Sequence, residues 1–111
     1  MNEQITDRQM YIGSLSNDLF RIASLVHRGS HHAASRFLKE AKRWSVPLLQ
    51  EDVKHYIRQI ARDVSDAAEV ERISLADAER YLMYGVLLQN YVLHDLHESP
   101  DVKKLANNCG L

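Results

Sequence analysis

The residues best suited to chemistry in this chain are its six histidines, spread over 111 residues. His27 and His31 are four apart, His94 and His97 three apart, and Asp52 and His55 three apart. On a helix each pair would share a face and aim two ligands at one ion, the arrangement imidazole and carboxylate use for transition metals. Gly29 interrupts the first pair. No glutamate is followed three residues later by histidine, as di-iron bundles require, and the zinc motif His-Glu-x-x-His is absent. A histidine-rich metal-binding bundle is therefore an alternative reading only. No metal ligand and no cofactor is assigned.

Covalent catalysis has little to draw on. Cys109 is the single cysteine and stands beside Gly110 near the end of the sequence. No Gly-x-Ser-x-Gly elbow presents a serine, and no glycine-rich loop offers to cradle a phosphate. Glu51 and Asp52 are adjacent, at an expected helix N-terminus where the dipole favours carboxylates in any case. No catalytic residue is assigned, and the chain reads as non-enzymatic.

One pairing points the other way. Arg21 and His27 are separated by five residues, a spacing that resembles the Arg-x(4–6)-His motif of the small helical HEPN-type nucleases. The resemblance implies phosphate stabilisation by Arg21 and acid–base work on a 2′-hydroxyl by His27. Arg28, Arg36, Lys39, Lys42 and Arg43, opposed only by Glu40, would lie beyond them to guide an RNA backbone. Ile22 departs from the polar residue that usually follows the arginine. The pair also lies in the first half of this chain, whereas the family carries it later. An RNA-cleaving helical bundle is thus the enzyme-class alternative. Nucleic acid remains a minor expectation, because a charged helix face is most often simply solvated.

These side chains need elements to position them, and the apolar spacing supplies helices. Ile12, Leu15, Leu19, Ile22 and Val26 recur at intervals of three and four, as do Ala34, Phe37, Ala41 and Trp44. Leu49, Val53, Ile57, Ile60 and Val64 repeat the pattern. That spacing lines one helical face, and no stretch alternates by two as a strand would. The prediction is an all-α, single-domain protein over 1–111: an antiparallel four-helix bundle with a short C-terminal helix. Helices are expected at about 7–28, 31–44, 48–66, 75–98 and 100–106. Gly29 supplies the first stop and Ser30 the next cap. Pro47 marks the second break, because the residue before proline is pushed out of helical geometry. Ser74 and Asp77 approximate a capping box, while Ser99 and Pro100 start the last helix. Residues 67–73 are compatible with either helix or loop.

Residues 14–47 resemble one tetratricopeptide-type helical hairpin, with Gly29 in the turn, then Ala34, Phe37 and Ala41, and Pro47 after the second helix. No second copy follows at that period, and one unit cannot build a solenoid. The resemblance implies a shared way of packing two helices.

Charge and cysteine usage narrow the class further. The formal net charge is −1, so the chain is not globally basic. Residues 51–81 carry eight acidic and five basic side chains, an acidic counterpart to the basic segment. A lone cysteine fits a reducing compartment, and no leader-like segment opens the sequence. The longest apolar stretch, 81–93, is broken by Gln89 and Asn90 and falls short of the ~20 residues a membrane span needs. A cytoplasmic location without membrane contact is expected.

Helix four stands apart. Leu82, Met83, Val86, Leu87, Leu88, Val92 and Leu93 wrap most of its circumference, and Tyr81, Tyr84, Leu88 and Tyr91 form a separate stripe. A helix apolar on all sides must be covered on several of them. The expectation is a small interaction or regulatory module, homodimeric through helix four, with Tyr81, Tyr84, Leu88 and Tyr91 in the interface. A different protein partner is the variant of that reading.

Overall fold

The structure is a computed structural model and describes residues 6–97. Among these residues it is all-helical, with α1 at Asp7–His27, α2 at His31–Leu48, α3 at His55–Asp66 and α4 at Leu75–His97. The expected helix at 100–106 and Cys109 lie outside the described residues. The molecule is elongated, 51 × 29 × 25 Å.

Helix α1 is fixed at both ends by its own sequence. Thr6 Oγ1 accepts from the Gln9 backbone N–H at 3.1 Å, and Gln9 Oε1 accepts from the Thr6 N–H at 3.1 Å. This reciprocal cap satisfies two donors that a helix start leaves orphaned. At the other end the Ser30 N–H reaches the Leu25 carbonyl and the Gly29 N–H reaches Val26, at 2.8 and 3.0 Å. The turn needs a positive φ, which Gly29 adopts at 78°. Between the caps Ile12, Leu15, Leu19, Ile22 and Val26 are all buried, so this face forms the core as its spacing predicts.

Helix α1 packs against α2 on one side and α4 on the other, and α3 packs against α2. Contact with α4 is close because small groups meet there. Ser16 Oγ donates to the Gly85 carbonyl at 2.8 Å, and a Cβ on Gly85 would come within 3.3 Å of the Phe20 ring.

Two boundaries differ from the sequence expectation. Helix α2 runs through Pro47 to Leu48 instead of stopping at Trp44. Proline in the last turn removes one backbone donor, while continuing the helix buries Leu48 completely. The helix then unwinds through tight bonds from Leu49 N–H to Val46 and from Gln50 N–H to Pro47, both 3.1 Å. Helix α3 begins at His55 rather than at 48. The intervening loop is held from outside: Arg8 Nη1 donates to the Asp52 carbonyl at 2.7 Å and Arg58 Nη2 to Glu51 at 2.8 Å. Glu51 and Asp52 therefore lie in a loop and not at a helix N-terminus.

The ambiguous stretch is loop as well. Ala67 is extended at φ −61°, ψ 140°, and its carbonyl accepts from Lys42 Nζ. Ser35 Oγ donates to the Val70 carbonyl at 2.6 Å, and Ile73 is buried. The loop is thus fastened along α2. Ser74 caps α4 as anticipated, its Oγ accepting from the Asp77 N–H at 3.0 Å.

Candidate functional site

Among the described residues helix α4 meets its neighbours mainly through α1, which leaves its far side uncovered by them. Inward lie Ala78, Tyr81 and Leu88, exposed by 0, 2 and 0%. Outward lie Leu75, Leu82, Val86 and Leu93, exposed by 54, 39, 42 and 48%, with Met83 and Leu87 beside them. Steps of seven, four and seven residues put these four side chains on one line along the helix. Single exposed leucines are ordinary on a protein surface, whereas here four large apolar side chains align along one helix face.

That row is not the tyrosine stripe anticipated from the sequence. Tyr81 and Leu88 belong to the intrachain core, and Tyr84 and Tyr91 are half-buried against it. The Tyr84 hydroxyl donates to Asp63 Oδ2 at 2.6 Å, tying α4 to α3. Arg80 joins the same carboxylate through Nε at 3.1 Å and reaches Asp77 Oδ1 at 2.7 Å. Its guanidinium also lies 5.3 Å from the Tyr81 ring centroid. Burial pushes the Tyr84 phenol above its ordinary range, and its bond to the Asp63 carboxylate pushes the same way. The stripe is committed to holding the fold together, and the apolar surplus of α4 emerges on the opposite side.

Arg21 and His27 serve different surroundings. The Arg21 guanidinium sits 5.4 Å from the Phe37 ring centroid, against α2. His27 is exposed and lines a cleft with His31, Arg72, Ile73 and Leu75. Six residues along a helix turn the chain through about 600°, which separates the two side chains around α1. Among the described residues no group of three or more His, Cys, Asp or Glu side chains is arranged to hold a metal ion.

One polar site was not anticipated. Asp18 is 2% exposed at the contact between α1 and α2, and its Oδ2 has no hydrogen-bond partner. Burial pushes its carboxyl up to about 7, and the nearby Glu40 carboxylate adds to the shift against the opposing pull of Arg21 and Trp44. Trp44 Nε1 is buried in the same helix contact, with its ring 6.3 Å from that of Tyr11. The signal was present in the spacing: Asp18 falls between Leu15 and Ile22 at intervals of three and four, a carboxylate placed on the apolar face of α1. It titrates near neutrality and lies inside the helix contact.

No protein-family model, no curated protein and no solved structure matches the chain.

Proposed function

We propose that this chain is a small, cytoplasmic, non-enzymatic interaction module that works as a homodimer through the outward face of α4. The observation that carries the reading is the row Leu75, Leu82, Val86 and Leu93, four large apolar side chains each 39–54% exposed along one edge helix. Covering such a row removes apolar surface from water, which is the main driving force for association. A two-fold partner presenting the same row satisfies both copies at once. The three-residue link from α1 to α2 supports an antiparallel order of helices within each copy, as in a four-helix bundle. A cytoplasmic location rests on the lone cysteine, and no described helix is long and apolar enough to cross a membrane.

The test is the mass of the purified protein in light scattering at micromolar concentration, with Val86→Asp beside it. A wild type of twice the chain mass and a monomeric, folded Val86→Asp support the reading. A monomeric wild type removes it. The rival RNA-cleaving reading is tested by incubating the protein with structured RNA next to His27→Ala, and equal cleavage by the two would dismiss it.

A further inference from the structure

The outward row of α4 belongs to a longer seam. Leu75, Glu79, Leu82, Val86, Gln89 and Leu93 follow steps of four, three, four, three and four, all on the exposed side. At 100° per residue these six lie within an arc of about 80°, the two-position pattern of a coiled-coil seam. Their order is a palindrome of residue character about Tyr84: Leu75 mirrors Leu93, Glu79 mirrors Gln89, and Leu82 mirrors Val86.

From this symmetry, and resting on the dimer proposed above, we infer that two copies pair their α4 helices antiparallel, in register about Tyr84. Antiparallel seams bring the two seam positions of opposite chains into one layer. Leu75 then meets the partner's Leu93, Leu82 meets the partner's Val86, and Glu79 meets the partner's Gln89. Every apolar side chain faces an apolar one. The single carboxylate faces an amide that can donate to it.

Other arrangements break the match. A parallel pair in register sets Glu79 against the partner's Glu79, two like charges in a desolvating seam, and aligns the two helix dipoles. Sliding the antiparallel pair by one heptad sets Val86 against the partner's Gln89, or Glu79 against the partner's Leu82. Only the centred register fills all six layers without conflict. All six seam residues from Leu75 to Leu93 are exposed, and among the described residues α4 meets its neighbours mainly through α1.

Paired cysteines test the register in a Cys109→Ser background, after the mass of that background has been measured. Leu75 and Leu93 are eighteen residues apart, about 27 Å along the helix. Only antiparallel pairing brings them within the ~7 Å Cα separation a disulfide tolerates. Mixing Leu75→Cys with Leu93→Cys under mild oxidation should give the mixed disulfide in large excess over either symmetric one. Glu79→Cys mixed with Gln89→Cys should behave alike, and these polar positions spare the apolar row. Predominantly symmetric disulfides, or a dimeric mass with no cross-link in either pair, overturn the register and leave the dimer standing. A monomeric mass overturns both.

Discussion

The two faces of α4 carry similar side chains and meet opposite fates. Inward, Ala78, Tyr81, Gly85 and Leu88 are buried, while outward, Leu75, Leu82, Val86 and Leu93 stay largely exposed. Hydrophobicity does not separate them, since the outward face is the more uniformly aliphatic. Size does. Ala78 and Gly85, seven residues apart, let α4 approach closely enough for Ser16 to reach the Gly85 carbonyl. Among the described residues the bulky outward face has no such neighbour. Apolar character shows that a surface must be covered, and small residues show which side the chain covers by itself.

Substitutions along that helix should separate the faces sharply. The largest effect is expected inward: Leu88→Ala removes a completely buried side chain and should cost about 2–5 kcal/mol in denaturant unfolding. Leu88→Asp should abolish the cooperative unfolding transition altogether, because it buries an unpaired charge. A Leu88→Ala protein as stable as the wild type would mean that the inward face has been misassigned.

A comparable contrast exists on α1, where one buried position is polar. The Asp18 carboxyl is raised from 3.8 to about 7, so the folded chain keeps a proton that the unfolded chain releases. Its contribution to stability is fully present below about pH 4 and lost as the pH rises through about 7. Asp18→Asn cannot ionise, so its advantage over the wild type should grow across that window. Unfolding midpoints of the two proteins at about pH 5 and about pH 8 measure the difference. An unchanged gap would place Asp18 in water.

Smaller changes follow at the edge between the faces. Asp63→Ala removes the acceptor shared by Tyr84 and Arg80, but this cluster is well exposed, at 41% for the Asp63 side chain and 37% for Arg80. Screening by solvent limits the loss to about 1 kcal/mol in thermal or denaturant unfolding. The smallest effect on the fold of a single copy is expected outward. Leu82→Asp and Val86→Asp should leave helix content by circular dichroism unchanged and shift the stability of the monomer by no more than about 0.5 kcal/mol.

Much of this arrangement was legible in the residues. The spacing of Ile12 to Val26 named the buried face of α1, and Gly29 and Ser74 marked ends that the structure keeps. The same spacing misled at Leu49 and Val53. Val53 is buried although it lies in a loop, so burial extended the helical rhythm beyond the helix. Pro47 misled in the other direction, because the gain from burying Leu48 outweighs one missing donor in a last turn. On α4 the apolar spacing did not single out the core face, since a helix apolar on most sides has no favoured one. The tyrosines looked like an interface because their hydroxyls suit a wet rim, yet Tyr84 uses its hydroxyl to hold α3. The spacing sets Asp18 on the apolar face of α1, but acidic residues in a helix are usually solvated, and its burial becomes plain with α2 in place.

The central claim is that the outward face of α4 is covered by a second copy. Sedimentation equilibrium of the wild type and Val86→Asp across micromolar concentrations tests it most directly. A reversible dimer for the wild type and a folded monomer for Val86→Asp is the predicted result. A wild type that stays monomeric throughout, or a Val86→Asp protein that dimerises equally well, would contradict it.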